Sequence, residues 1–457
     1  MIKLNLYNTI QRRLSIFQPI DTKNVRIYAC GPTVYDFIHI GNARPLVVFD
    51  VLVRLLRKIY PKVTYVRNIT DIDDKINKRA IEKKINISEL TNETIKNFHK
   101  DALALGNLKP DFEPKATDHI SEMIEMIETL ISNGFAYVSS GNVLFAVEKY
   151  NNYGALSGRS LDEMISGSRV EVAEYKKNPG DFILWKPSSE KLPGWDSPWG
   201  RGRPGWHIEC SAMSKKYLGT QFDIHAGGLD LIFPHHENEI AQSCCANKSD
   251  IMANYWLHNG YVTSDGEKMS KSLGNFATIN NLLLNFRGEA IRYALMQAQY
   301  RAPLSFSKKS LEEATKSLSR LYRAVEGFEV NDGQDTQIID NLCDDLNSPK
   351  ALARLHYLAD EANKGSKECA QKLKNSSNIL GILCNSTDEW FKFGEVNSNE
   401  AIENSTMTEK EIDELIIKRK IAKENKEYEK ADQIREQLLE KNIQLEDKPD
   451  RTVWRRL

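Results

Sequence analysis

Two spacings of apolar residues alternate along the start of the chain, and each switch marks a change of element. Val25–Cys30 (Val-Arg-Ile-Tyr-Ala-Cys) is a short, mostly apolar run closed by Gly31-Pro32, the signature of a strand. Ala43 to Lys58 carries Leu46, Phe49, Val53 and Leu56 at helical spacing and stops before Pro61. Val63–Ile69 reads as the next strand and runs into Thr70-Asp71-Ile72-Asp73-Asp74-Lys75. Strand, helix and strand at this spacing form a βαβ unit. The pattern predicts an α/β protein with a Rossmann-like, doubly wound parallel sheet and ligands at the strand C-termini.

From about Phe112 to Pro204 the pattern changes. A helical stretch near 117–133 leads to a hairpin, Phe135–Val138 and Val143–Val147, around Ser139-Ser140-Gly141-Asn142. A passage rich in Pro, Gly and Trp follows, including Lys191-Leu192-Pro193-Gly194-Trp195, so 112–204 reads as a connective insertion between two halves of the nucleotide fold. Sheet-like patterning resumes at Trp206-His207-Ile208-Glu209-Cys210 and Phe222-Asp223-Ile224-His225. Beyond Ser307 the chain turns helical: Leu311, Ala314, Leu318, Leu321 and Val325 share one face, as do Tyr428, Ala431, Ile434 and Leu438. Polar residues 397–408 read as a linker. The expected organisation is therefore 1–111 and 205–260 for the two catalytic halves and 112–204 for the insertion. A loop and stem-contact region spans 261–307, a helical bundle 308–396, and linker and minidomain 397–457.

Composition narrows the class without naming a function. The 457 residues suffice for about three domains, and 41% hydrophobic with 27% charged residues is ordinary for a globular protein. Neither a long apolar run nor an N-terminal leader pattern is present, so a cytoplasmic protein with no membrane partner is expected. Seven scattered cysteines argue against a disulfide framework. With a net charge of −1, any nucleic-acid contact must come from a local patch. The last ten residues offer one, with Lys448, Arg451, Arg455 and Arg456 against Asp450 and with Trp454 among them. An aromatic beside arginines can stack on a splayed base, although composition alone favours a frayed, charged end.

Three sets of residues carry candidate chemistry. The first is Gly31-Pro32-Thr33-Val34-Tyr35-Asp36-Phe37-Ile38-His39-Ile40-Gly41-Asn42, a glycine-bearing turn and a histidine where a helix should start and attract phosphate. The second is Lys268-Met269-Ser270-Lys271-Ser272, two lysines in a polar loop suited to clamping polyphosphate. No Gly-x-x-x-x-Gly-Lys-Ser/Thr run occurs, which excludes a P-loop. The third joins Cys30, Cys210, His235 and Glu239. The last two are spaced i, i+4, and two sulfurs, an imidazole and a carboxylate suit Zn²⁺. Spacing alone does not bring Cys30 to Cys210; convergence of two strand C-termini of one parallel sheet would.

The first two sets together resemble the HIGH and KMSKS signatures of class I aminoacyl-tRNA synthetases, with His-Ile-Gly-Asn in the first. Five longer blocks resemble the cysteinyl-tRNA synthetase family: 30–36, 65–75, 202–213, 222–228 and 233–242. They run in family order, and the resemblance reaches Trp454-Arg455-Arg456. It implies a two-step ligase: cysteine and ATP give cysteinyl-adenylate and pyrophosphate, and the aminoacyl group passes to the terminal ribose of tRNA(Cys). It implies one Zn²⁺ on Cys30, Cys210, His235 and Glu239, and Mg²⁺ arriving with ATP. His39, Gly41, Asn42, Lys268 and Lys271 would bind ATP, with His39 and the two lysines catalytic. Thr33, Trp206 and His225 would border the cysteine pocket, and Trp454, Arg455 and Arg456 would read the anticodon from a helical region and minidomain. A monomer is expected. Because Asn42 stands where the family has His, its role stays open.

Two other readings compete. A ligase passing cysteine to an amino sugar would share the catalytic half but lack the helical C-terminal region. A non-catalytic zinc protein that binds RNA would have no use for His39, Lys268 and Lys271 together. Cys244, Cys245, Cys343, Cys369 and Cys384 read as buried packing residues.

Overall fold

The computed structural model describes residues 3–160, 163, 173–264, 267–268, 277–331, 333–392, 407–441, 443–447 and 452–456, with the backbone alone at 264, 267–268 and 455–456. The chain divides into two compact units. The first comprises Met1–Asn280, Leu295–Phe306 and Thr336–Ala351; the second comprises Asn281–Ala294, Ser307–Asp335 and Leu352–Leu457.

The first unit is built on four parallel strands in the order Ala253–Asn259, Phe222–Gly228, Val25–Ala29, Val63–Arg67. Their near-continuous burial is that of strands covered on both faces. The order reverses between Val25–Ala29 and Phe222–Gly228, where Ile27 faces Ile224, so a crevice opens beyond the carboxyl ends of these two strands. The helix Ile40–Ile59 buries Leu46, Phe49, Val53 and Leu56 as the periodicity predicts. It starts three residues before the predicted Ala43 because His39 caps it: the ring accepts the Gly41 N–H, and the Asn42 side chain accepts the His39 N–H.

The insertion contains an antiparallel sheet, Ala136–Ser139, Asn142–Phe145, Phe182–Pro187 and Gly202–Pro204. Its first hairpin turns at Ser140 and Gly141, both with positive φ, as a two-residue turn in right-twisted strands requires.

One expectation fails here. Trp206–Leu218 is a helix rather than a strand. Ile208 through Ser214 are all buried, so the helix has no exposed face in that stretch and lacks the amphipathic periodicity that would identify it.

In the second unit, Lys308–Ala324 buries Leu311, Ala314, Leu318 and Leu321. Glu409–Glu424 and Tyr428–Glu440 pack on the hairpin Ile443–Asp447/Thr452–Arg456. Residues 393–406, which include most of the expected linker, lie outside the described residues. Among the described residues, no helix is long and apolar enough to cross a membrane. Cys244, Cys245 and Cys343 are buried as expected, Cys369 is half-buried, and Cys384 is exposed, against expectation.

Asp101, in the helix Ile87–Ala104, is a buried carboxylate whose two oxygens find no hydrogen-bond partner among the described residues. Burial raises its pKa to about 6. The folded pKa exceeds the unfolded one, so stability is lost as pH rises from about 4 through 6. Asp101→Asn should therefore raise the melting temperature at pH 7.5, by a stabilisation of up to about 3 kcal/mol. The gain should vanish near pH 4; thermal melts at the two pH values check the sign.

Candidate metal centre and nucleotide crevice

Cys30 follows directly from the strand Val25–Ala29, and its N–H is tied to the carbonyl of Ala226 on the neighbouring strand (3.0 Å). Gly31 fixes it from the other side. Its N–H donates to Asn68 Oδ1 (2.9 Å), and its Cα lies so close to the Asn68 carbonyl that no side chain could stand there. Cys210 comes from the helix Trp206–Leu218, so the sulfurs meet through a strand end and a helix rather than two strand ends. Their separation is 3.9 Å.

The helix carrying Glu239 is Glu237–Asn247. His235 lies just before it, in an irregular turn where Phe233 has extended φ/ψ, so the regular helix begins only after this histidine. The i, i+4 relation nevertheless survives: His235 Nε2 is 3.0 Å from Glu239 Oε1. Glu239 Oε1 lies 3.7 Å from Cys30 Sγ. Donors around a tetrahedral zinc ion stand about 3.3–3.8 Å apart, so the four predicted ligands are already spaced for one. One donor atom from each lies within 4.8 Å of every other.

A second set, Cys30, His225, His236 and Glu239, overlaps the first. The hydrogen bonds separate their roles. His225 is fully buried, holds Glu239 Oε2 at 2.8 Å and stacks on Trp256, which leaves Oε1 turned towards His235 and the sulfurs. His236 stands 3.2 Å from Cys30 Sγ, and its other nitrogen meets His258 at 2.8 Å. Thr9 Oγ1 completes that chain at 2.8 Å. His207 Nδ1 meets His235 Nδ1 at 2.9 Å.

Sequence reasoning assigned no role to His207 or His258. The available signal was density, since five of the nine histidines fall between 207 and 258 and all five gather here.

Burial sets the electrostatics. It pushes His207 and His258 down to about 3, which keeps both rings neutral. It would lower His235 too, but Glu239 and Cys210 outweigh it and raise that ring to about 10. The hydrogen bond from Cys30 brings the Cys210 thiol down to about 6. Burial would raise Glu239, yet His225 and His235 hold it well below the usual carboxylate range. Two thiols and a buried carboxylate thus converge where a cation is needed, and without a metal only an imidazolium can supply it.

Trp206 covers this cluster, stacking on His235 at 4.1 Å while remaining 38% exposed. It borders a cavity of about 490 Å³ that Asp74, Lys186, Arg203, His207 and Glu209 also line. Thr33 pairs with Thr70, whose hydroxyl donates to the buried Glu209 (3.0 Å).

His39 and Gly41 open the Ile40–Ile59 helix beside the same strand end, with Asn42 exposed at its first turn. Lys268 belongs to the short strand Glu267–Lys268, paired with Val262–Ser264; Lys271 lies outside the described residues. Trp454 is only 4% exposed: its indole N–H donates to Asp413 (2.9 Å), and its ring packs with Ile412, Leu438 and Leu445. The minidomain core therefore uses the ring that sequence reasoning offered for base stacking. Arg455 and Arg456 extend the same strand.

Residues 16–316 match the family described as tRNA synthetases class I (C) catalytic domain, and residues 337–385 match the DALR domain. The chain is 51% identical to the cysteine–tRNA ligase of Rhodospirillum rubrum, over 99% of each chain. It is 52% identical to that of Gluconobacter oxydans, over 99% of this chain and 98% of the other. The methionyl-tRNA synthetase of Mycobacterium tuberculosis, solved with methionyl-adenylate, shares the fold at 15% identity with a TM-score of 0.56, over 78% of this chain and 89% of that one.

The hydrogen bond of His225 to this cluster is to Glu239 Oε2, behind the candidate ligand atom Oε1. Removing such an outer partner commonly weakens metal affinity by about 10–100-fold, which is the expectation for His225→Ala. Competition with a chromophoric chelator measures it, and wild-type affinity would refute the orienting role.

Proposed function

Since the chain belongs to the cysteine–tRNA ligase family of class I tRNA synthetases, we propose that Cys30, Cys210, His235 and Glu239 hold a zinc ion that selects the substrate cysteine. The reaction itself is that of the family. Cysteine's carboxylate attacks the α-phosphate of ATP, pyrophosphate leaves, and the terminal ribose hydroxyl of tRNA(Cys) takes the cysteinyl group from the adenylate. The observation that carries the selection is the buried Cys30–Cys210–His235–Glu239 set, spaced for a tetrahedral ion, at the crevice of the parallel sheet.

Zinc supplies a soft Lewis acid that accepts a thiol as its thiolate and takes a serine hydroxyl poorly at neutral pH. Shape alone would separate the two amino acids by only about 1–3 kcal/mol, so the discrimination is chemical rather than steric. Trp206 closes the site over His235, and Thr33 and His225 complete the amino-acid pocket, His225 by orienting Glu239.

No covalent protein nucleophile is needed, so the rest is positioning and charge. His39, Gly41 and Asn42 present the helix start to the phosphates, where the helix dipole favours negative charge. His39 keeps the turn formed through its own ring, and Asn42 does so through the backbone of His39. Lys268 and Lys271 would neutralise the β- and γ-phosphates as charge builds, with magnesium arriving bound to ATP. On the tRNA side, Arg455 and Arg456 are the anticodon contacts, and Trp454 supports their strand from beneath.

Cysteine-dependent ATP–pyrophosphate exchange, with serine in parallel and a zinc chelator as control, tests this reading. Exchange with cysteine alone, abolished by chelation, is expected; equal exchange with serine would end the zinc-selection argument. Lys271→Ala should slow exchange by about 10²–10³-fold, as loss of a transition-state charge donor does, with the metal content unchanged.

A further inference from the structure

Arg44 takes no part in the chemistry above, yet its environment is exceptional for a cation. It lies in the Ile40–Ile59 helix, is completely buried, and donates its described hydrogen bonds only to backbone carbonyls. Nη1 reaches Gly260 (2.9 Å) and Tyr261 (2.8 Å), and Nη2 reaches Gln299 (3.3 Å) and Ala302 (2.7 Å). A buried cation is costly unless hydrogen bonds offset its burial, and four carbonyls are brought together here on its two terminal nitrogens, while Nε has no partner among the described residues. Burial lowers its pKa to about 10, so the charge persists at neutral pH.

A second, independent feature serves the same cluster. A Cβ on Gly260 would stand 2.6 Å from the carbonyl oxygens of both Arg301 and Ala302, so these backbones approach as closely as they do only because residue 260 is glycine. The Gly260 N–H also donates to Tyr300 O (2.8 Å), which closes the group.

The placement of the cluster gives it meaning. Arg44 stands one turn beyond Ile40, on the helix that His39 caps. Residues 260–261 lead straight into Val262–Ser264, the strand paired with Glu267–Lys268. On the far side, the Ile40 N–H donates to Ala277 O (3.0 Å), and Ile279 N–H donates to Ile38 O (2.9 Å). The chain on either side of the lysine motif is thus tied to one helix start, by backbone at 277–279 and by the Arg44 side chain at 260–261.

We propose that Arg44 is a positioning residue for adenylate formation: by gathering the carbonyls of Gly260, Tyr261, Gln299 and Ala302, it fixes the strand pair that bears Lys268 relative to His39. The proposal rests on the ligase reading above. A planar fork can serve four acceptors at once, whereas an ammonium at the same place reaches fewer, so Arg44→Lys keeps the charge and removes the geometry.

The test uses full-length Arg44→Lys and Gly260→Ala. Cysteine-dependent ATP–pyrophosphate exchange is expressed per active site by burst titration, beside the KM for cysteine, metal content and melting temperature. A displacement near 1 Å between reacting groups costs about 100-fold, so that loss in kcat per active site is expected for both variants, with metal content and the KM for cysteine unchanged. A wild-type rate per site in either variant overturns the proposal, whatever the melting temperature, because a residue needed only for stability lowers the active fraction and not the rate. Gly260→Ala decides alone if Arg44→Lys does not fold. Wild-type protein without exchange would sink the ligase reading and the Arg44 proposal together, whereas active wild type with unimpaired variants sinks the Arg44 proposal alone.

Discussion

A carboxylate with no access to water, Glu239, is the constraint to which the centre of this molecule answers. An ionised group in such a place is unaffordable unless positive charge and hydrogen bonds surround it. His225 satisfies one oxygen; His235 and the two sulfurs stand around the other. The outer histidines then matter as much as the inner ones, because each ring that faces a metal must be held by something behind it. His207 behind His235 does this, while His258 holds His236, the ring beside Cys30, and Thr9, near the start of the chain, ends that second relay. A site assembled this way is stiff by necessity.

The parts of this arrangement that the sequence revealed were those with a local signature. Val25–Ala29, the amphipathic face of Leu46, Phe49, Val53 and Leu56, and the hairpin turning at Ser140-Gly141 each follow from spacing or turn chemistry alone. The pairing of His235 with Glu239 was also readable, because four residues apart means one face whether or not the helix has fully begun. What could not be read was whatever burial on all sides erases. The helix Trp206–Leu218 looks like a strand because no face of it stays exposed over Ile208–Ser214. Trp454 looked like an exposed base-stacking ring because its basic neighbours conceal a hydrogen bond to Asp413, 41 residues upstream. Arg44 gave no signal, since its partners are carbonyls, which leave no trace in side-chain identity.

Asn42 shows how a departure from a family motif can be absorbed by the backbone. Its side chain accepts the N–H of His39 while the His39 ring accepts the N–H of Gly41, a reciprocal cap that settles two of the donors a helix start leaves open. The amide therefore supports the shape of the turn without needing charge. The strand pair carrying Lys268 depends equally on main-chain geometry, through Gly260 and the carbonyls around it. Side chains supply charge at this crevice, and backbone supplies distance.

The two sulfurs of the proposed metal site are 180 positions apart in the chain, with the four-stranded antiparallel sheet lying between them. An ion joining Cys30 to Cys210 is therefore a cross-link that closes a very long loop. In the chain-entropy picture, a bridge over a loop of that size restricts the unfolded ensemble by about 5 kcal/mol. An ion held there would thus act on the disordered chain as well as on the substrate, and its loss would loosen about two fifths of the polypeptide. The centre proposed to tell sulfur from oxygen would then also be the clasp of the fold.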